Sequence, residues 1–138
     1  MTITLPYRQL NKYIAAKTKQ PITLSFVNDK EIKVSYTKKV LITTVNIDIN
    51  IKIENVNPSE IVLSYQAPVG LDMVISGAIS FLTSKLPELA SGIHMTDGHR
   101  IHVILDKIEK AKPIVENISL QDITFNDSAA AIEFSLKC

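Results

Sequence analysis

The sequence has 138 residues with four glycines and six prolines, which is typical of one domain without a long flexible linker. Hydrophobic residues make up 46% and charged residues 21%, so the chain can bury a core and is not a disordered protein. Fifteen Lys and Arg residues against 14 Asp and Glu residues give a formal net charge of +1, which argues against a nucleic-acid partner.

The chain begins with a short amphipathic segment. Tyr7, Leu10, Ile14 and Lys17 follow Pro6 at three- and four-residue spacing, which predicts a surface helix from Pro6 to about Thr18. No segment has the roughly 20 apolar residues of a transmembrane span, and no signal peptide is visible. We therefore expect a cytoplasmic protein, or a periplasmic one if a leader precedes Met1.

Strands are expected to dominate the remainder of the chain. The sequence holds 20 isoleucines, ten valines and ten threonines, and β-branched residues favour pleated surfaces. Several segments carry apolar residues at every second position: Ile22, Leu24 and Phe26; Ile32, Val34 and Tyr36; Ile61, Leu63 and Tyr65; Ile101, Val103 and Leu105; Ile132, Phe134 and Leu136. One-sided alternation is typical of antiparallel sheet with one polar face. Turns are predicted at Asn28–Glu31 and at Thr37–Lys39.

The longest alternating segment runs from Val40 to Val56. At ~3.3 Å per residue it would measure roughly 50 Å, well above the usual ~17–20 Å, so we expect it to bend or to span an elongated sheet. In the segment Ile118–Phe125 the apolar parity changes between Leu120 and Ile123. A β-bulge near Gln121 or Asp122 would bring Ile118, Leu120, Ile123 and Phe125 to the core face, and we expect all four to be buried.

A second helix is predicted from Leu71 to about Leu86. Its apolar residues cover most of the helical circumference, and such a helix is expected to be buried on nearly every side. Pro68 and Gly70 precede it and Pro87 follows it, which places its ends.

The three histidines lie close together in the sequence as His94, His99 and His102, with Asp97 between them. Imidazole and carboxylate groups are zinc ligands. However, His99 and His102 differ in parity if one strand contains both, so they would point to opposite faces of the sheet and could not share an ion. We predict no metal site.

No catalytic motif is evident. The aspartates are scattered along the chain, and no pair of carboxylates is set apart for acid–base chemistry. Ser64 and Ser76 lack the glycines of a nucleophile elbow, and the glycines do not form a phosphate-binding loop. We therefore expect a protein that is not an enzyme and has no cofactor.

The order of these elements resembles a known superfamily. The N-terminal ITLPYRQLNKYIAAK, with Leu10 and Asn11 inside the helix, and the C-terminal RIHVILDKIEKAKPIVENISLQDITFNDSAAAIEFSLK look like the ends of small bacterial members of the tubular lipid-binding (TULIP) superfamily. The resemblance covers most of the chain. It implies a long, curved antiparallel sheet around a hydrophobic helix, with an apolar groove that accepts acyl chains. Such members usually carry an export or lipoprotein signal, and this sequence shows none.

The predicted fold is α+β, one domain over residues 1–138, with a curved, mainly antiparallel sheet wrapped around the helix Leu71–Leu86. The predicted function is non-catalytic binding of an apolar or amphipathic, lipid-like ligand between sheet and helix. The expected lining residues are Met73, Ile75, Ile79, Phe81, Leu82, Ile47, Ile49 and Ile51. The alternative is a structural or protein-interaction module with a filled core and no ligand. The strand Ala129–Leu136 is also a candidate edge for a homodimer, and the alternative is that a loop or the first helix covers this strand.

Overall fold

A computed structural model of the chain describes residues 1–19, 22–66, 76, 79, 80, 84, 91–96, 99–108 and 111–137. The elements of these residues, in chain order, are β1 (Thr2–Pro6), α1 (Tyr7–Thr18), β2 (Ile22–Asn28), β3 (Glu31–Val40), β4 (Thr43–Val56), β5 (Glu60–Gln66), β6 (Ile93–Thr96), β7 (Arg100–Ile104), a 3₁₀ turn (Leu105–Lys107), α2 (Lys112–Val115), β8 (Ile118–Phe125) and β9 (Ala129–Leu136). The described strands form a three-stranded sheet, in the order β1-β9-β8, and a six-stranded sheet, in the order β2-β3-β4-β5-β7-β6. The pairings between these strands are all antiparallel, as the one-sided alternation predicts.

The predicted fold class is wrong in its central element. Among the described residues α1 is the one helix longer than a single turn, and no long central helix is shown. The predicted helix Leu71–Leu86 lies largely outside the described residues; within it, Ser76, Ile79, Ser80 and Ser84 have helical backbone. A segment that is apolar on all sides has no strong periodicity, so its pattern predicts burial better than it predicts a continuous helix.

The six-stranded sheet has one apolar face because its register aligns the apolar stripes of successive strands. Val34 lies opposite Ile49, Ile51 lies opposite Tyr65, and Leu63 lies opposite Ile101. Since side chains alternate across a strand, the polar residues between them occupy the other face. The predicted strands from Ile22 to Tyr65, and the strand containing Ile101, are thus confirmed.

The hairpin between β3 and β4 turns later than predicted. Thr37–Lys39 is part of β3, and the turn consists of Leu41 and Ile42, with Val40 paired to Thr43. Leu41 has a φ of 56°, in the left-handed region that glycine and asparagine usually occupy. The predicted long strand therefore begins at Thr43, and its 14 residues still exceed the usual strand length.

The predicted dimer contact through Ala129–Leu136 is wrong, because this strand is not at the edge of its sheet. Strand β9 lies at its centre, paired with β1 on one side and with β8 on the other. The N-terminal strand β1, which the sequence did not reveal, occupies the edge that the dimer would have used. Ala129–Leu136 is therefore not an edge strand and cannot pair with a second copy in the predicted way.

The predicted bulge in β8 is confirmed. The register with β9 shifts between Leu120 and Asp122, which leaves Gln121 as the extra residue. Leu120 is buried, whereas Ile118, Ile123 and Phe125 are half-buried. The expectation that all four are buried therefore holds for Leu120 and not for the other three.

Helix α1 matches its predicted span and covers part of an edge strand. It begins after Pro6, and the Lys19 N–H donates a hydrogen bond to Ala15 O at 2.8 Å, with Lys19 at a φ of 56°. From the side of this helix, Asn11 Oδ1 accepts a hydrogen bond from the backbone N–H of Leu24 at 2.8 Å. Strand β2 is the first strand of the six-stranded sheet, so this contact satisfies one of its edge donors.

Candidate functional site

Tyr65 and Ile101 form a buried pair on the apolar face of the six-stranded sheet, at 5% and 8% exposure. Partly buried apolar side chains pack against this pair: Ile49, Ile51, Leu63, Ile79, Ile93, Met95 and Val103. The strands β4, β5, β6 and β7 position all of these except Ile79. We refer to this set as the apolar face.

The predicted lining residues fall into two groups. Ile47 is buried at 7% exposure, and Ile49, Ile51 and Ile79 belong to the partly buried set around Tyr65 and Ile101. The structure therefore brings Ile49, Ile51 and Ile79 to one cluster. The others, Met73, Ile75, Phe81 and Leu82, lie outside the described residues.

The side chains of the apolar face around Tyr65 and Ile101 are partly exposed to solvent. In the described part of the chain no large side chain is completely buried, and Tyr65 is the least exposed large apolar one at 5%. Seven apolar side chains around Tyr65 and Ile101 are thus partly accessible to solvent.

His99 covers one end of the apolar face. Its ring stacks on the Tyr65 ring with the centroids 4.9 Å apart and the planes inclined by 14°. Its carbonyl oxygen accepts a hydrogen bond from the Tyr65 N–H at 3.0 Å. His99 itself is exposed and has a φ of 59°, so a turn residue in the left-handed region places an imidazole over the buried tyrosine.

The other two histidines lie on the polar face. His94 and His102 are cross-strand neighbours on β6 and β7. His102 Nδ1 lies 2.8 Å from Glu60 Oε1, and His102 Nε2 lies 3.2 Å from Thr96 Oγ1. Within the described residues no group of three His, Cys, Asp or Glu side chains is arranged to hold a metal ion, and Asp97 lies outside them.

A polar cleft of about 360 Å³ lies at the junction of the two sheets. It is lined by Lys30, Ile53, Glu54, Asn55, Val56, Gln121 and Asp122. The Lys30 ammonium donates hydrogen bonds to Asp122 Oδ1 and to Ile123 O, the latter at 3.1 Å. The hydrogen bond from Lys30 holds the pKa of Asp122 below its usual value, which keeps this carboxylate charged.

The sequence did not reveal this cleft. Lys30 and Asp122 are separated by 92 positions. The sequence predicts a turn around Lys30 and a bulge near Asp122, and neither feature indicates that the two residues meet. The signal that could have found the cleft was the predicted bulge at Gln121 or Asp122, because bulges often redirect a side chain at the rim of a sheet.

Comparison with known proteins adds no relative. No family model, no curated protein and no solved structure matches the chain. The resemblance to the TULIP superfamily therefore stays a prediction. Among the residues that the structure describes, no helix has the length and apolar character that crossing a membrane requires.

Proposed function

We propose that this chain is a non-catalytic binding protein whose apolar face holds an apolar or amphipathic, lipid-like molecule. The observation that carries the proposal is the partial exposure of apolar side chains on that face. Ile49, Ile51 and Met95 remain partly exposed around Tyr65. Ile49 and Ile51 belong to β4, which lies inside the six-stranded sheet, and Met95 belongs to the edge strand β6. Covering such side chains with an acyl chain would remove apolar surface from water, which favours binding by roughly 25 cal/mol per Å².

The polar groups near the apolar face suit an amphipathic ligand. His99 lies at the edge of the face, stacked on Tyr65, and its imidazole is exposed to solvent. A ligand with its chain along Ile49 and Ile51 could place a polar headgroup beside this ring. Binding sites of this kind are mostly apolar with a few polar groups that set orientation.

A specific observation favours the alternative of an interaction module without a ligand. Tyr65 and Ile101 are 5% and 8% exposed, and Ile79 from the segment 71–86 packs against them. If that packing extends over the whole face, no space remains for a ligand. The two functions therefore differ in one physical quantity, which is the volume left over the apolar face.

Two tryptophan variants test this difference. Ile49→Trp adds bulk on the apolar face, whereas Asp48→Trp adds the same bulk at the neighbouring position, which points to the polar face. A fluorescent fatty acid is titrated into each purified protein. We expect saturable binding by the wild type and by Asp48→Trp, and binding at least ~10-fold weaker by Ile49→Trp, since about 1.4 kcal/mol corresponds to that factor.

Circular dichroism and urea unfolding provide the control for folding. Ile49→Trp must retain the wild-type spectrum for its loss of binding to be attributed to the site. The proposal is contradicted if the wild type does not bind the fatty acid, or if both tryptophan variants bind it as tightly as the wild type.

A further inference from the structure

The tip of the β3–β4 hairpin carries the two most exposed large apolar side chains of the described chain. Leu41 is 91% exposed and Ile42 is 97% exposed. Single exposed apolar residues are common on protein surfaces, but two adjacent ones at the end of a hairpin form a small protruding apolar patch. We refer to residues 37–46 as the hairpin tip.

In the described residues, the hairpin tip extends beyond the neighbouring strands β2 and β5. Among the described residues, the pairing of β2 with β3 ends at Tyr36, and the pairing of β5 with β4 ends at Asn50. The pairs from Thr37 with Asn46 to Val40 with Thr43 join only β3 and β4 in the described structure. At about 3.3 Å per residue these four pairs extend the ribbon by roughly 13 Å.

Leu41 and Ile42 are residue types that do not favour this turn. Glycine or asparagine would fit the left-handed φ of 56° at Leu41 with less strain. Leu41 and Ile42 gain little packing in return, because nearly all of their side-chain surface is in contact with solvent. Strained residues in exposed turns are often found at functional sites, and both residues are available for a surface outside the chain.

The positive charge of the hairpin tip indicates what kind of surface Leu41 and Ile42 contact. Positions 38 and 39 are lysines, and no acidic residue occurs from Thr37 to Ile47. This local excess of two positive charges contrasts with a formal net charge of +1 for the whole chain. Apolar residues next to lysines are the pattern of segments that bind the interface of anionic membranes.

We propose that the hairpin tip inserts Leu41 and Ile42 into the interface of an anionic lipid bilayer, to which the positive charges of Lys38 and Lys39 attract this segment. The contact is peripheral and reversible, because two apolar side chains and two charges give weak binding. This proposal does not depend on a ligand at the apolar face, since it uses a different part of the six-stranded sheet.

Vesicle co-sedimentation of the full chain tests the proposal. We expect the wild type to sediment with vesicles of phosphatidylcholine and phosphatidylserine, and to stay in the supernatant with phosphatidylcholine alone or at high salt. Leu41→Ser combined with Ile42→Ser should weaken binding by at least roughly 10-fold. Lys38→Glu combined with Lys39→Glu should abolish the preference for phosphatidylserine.

A control variant removes an apolar side chain elsewhere. Ile114→Ser changes a residue of α2 that is 56% exposed, and it should bind vesicles like the wild type. Circular dichroism checks that each variant is folded; if the serine pair does not fold, Leu41→Asn, which suits the left-handed φ, replaces it.

Three results would overturn the proposal. The first is a wild type that does not sediment with either kind of vesicle, and the second is a serine pair that binds as tightly as the wild type. The third is a dimer in light scattering that the serine pair converts to a monomer, since the hairpin tip would then contact a second copy of the chain. Fatty-acid binding is measured without vesicles, so its outcome is separate from all three.

Discussion

The Lys30 ammonium contacts the Asp122 carboxylate across the junction between the six-stranded and the three-stranded sheet. Lys30 stands in the turn between β2 and β3, and Asp122 follows the bulge in β8. Beside them, the Phe125 N–H donates a hydrogen bond to Asp29 O at 2.8 Å. The ion pair and this backbone contact thus fasten the edge of the small sheet to a hairpin turn of the large one.

We expect the ion pair to make the stability of the protein depend on acid pH. Because Lys30 lowers the folded-state pKa of Asp122, its contribution is present above the unfolded pKa of about 3.9 and is lost as pH falls through the folded value. The side chains are 32% and 39% exposed, so solvent screening limits the contribution to about 1 kcal/mol or less. Urea unfolding of the wild type and Asp122→Asn should show a gap near pH 7 that closes well below pH 4.

Asp48→Asn is the matched control for this experiment, because it removes a carboxylate from the exposed polar face of β4. Its free energy of unfolding should equal that of the wild type both near pH 7 and well below pH 4. A gap between wild type and Asp122→Asn that stays constant down to the lowest pH would show that the charge of Asp122 is not what joins the sheets.

Tyr7 is expected to give the opposite dependence, at alkaline pH. Its hydroxyl donates a hydrogen bond to Asn126 O at 2.6 Å, and burial, together with the charge of Asp127, raises its pKa. A raised pKa stabilises the fold below the unfolded value of about 10, and this contribution is lost as pH rises through the folded value.

Tyr7→Phe should therefore cost about 1 kcal/mol near pH 7, and the difference from the wild type should shrink above pH ~10. Unfolding by urea at both pH values measures this. Tyr13→Phe, which alters a tyrosine that is 56% exposed on α1, provides the comparison and should change the stability little at pH 7. An equal loss of stability in Tyr7→Phe and Tyr13→Phe would show that the hydrogen bond from Tyr7 to Asn126 does not stabilise the fold.

Gly92 is expected to tolerate no side chain. A Cβ at this position would lie 2.3 Å from Ile108 Cγ1 and 2.8 Å from Ile104 O, and Ile108 is buried. The Ile104 N–H also donates a hydrogen bond to Gly92 O at 2.7 Å, so the backbone cannot easily move away. Gly92→Ala should lower the free energy of unfolding by roughly 1–3 kcal/mol, as overpacking does, whereas Ser91→Ala at the exposed neighbouring position should be nearly neutral.

Asn11 is expected to protect the edge of the large sheet. Asn11→Ala would leave the Leu24 N–H without its acceptor, which should cost about 1 kcal/mol and expose an edge donor to other chains. Asn11→Asp keeps an acceptor oxygen and should retain most of the stability. Urea unfolding and light scattering at increasing concentration measure the two effects. Unchanged stability and an unchanged mass for Asn11→Ala would contradict this role.

The apolar face was the part of the structure that the sequence predicted best. Alternation with a period of two assigns each residue of a strand to one face without knowledge of its neighbours, so Ile49, Ile51 and Tyr65 could be grouped in advance. The turn at Leu41 and Ile42 could not, because neither residue type signals a turn and the local backbone is strained.

Features that depend on distant parts of the chain were not predictable. Strand β1 is five residues long and ends at Pro6, so its sequence is too short to show a clear apolar alternation. It forms because its backbone pairs with that of β9. The same pairing places β9 at the centre of its sheet, which is why the predicted dimer edge was wrong. The contact between Lys30 and Asp122 likewise arises from the way in which the two sheets meet.

Native mass spectrometry of the protein purified without detergent tests the central claim most directly. If the apolar face holds a lipid-like molecule, the wild type and Asp48→Trp should each appear with a species heavier than the bare chain, and organic extraction should remove the added mass. Ile49→Trp should appear as the bare chain under the same conditions. The claim is contradicted if the wild type carries no added mass before extraction and gains none after incubation with fatty acid.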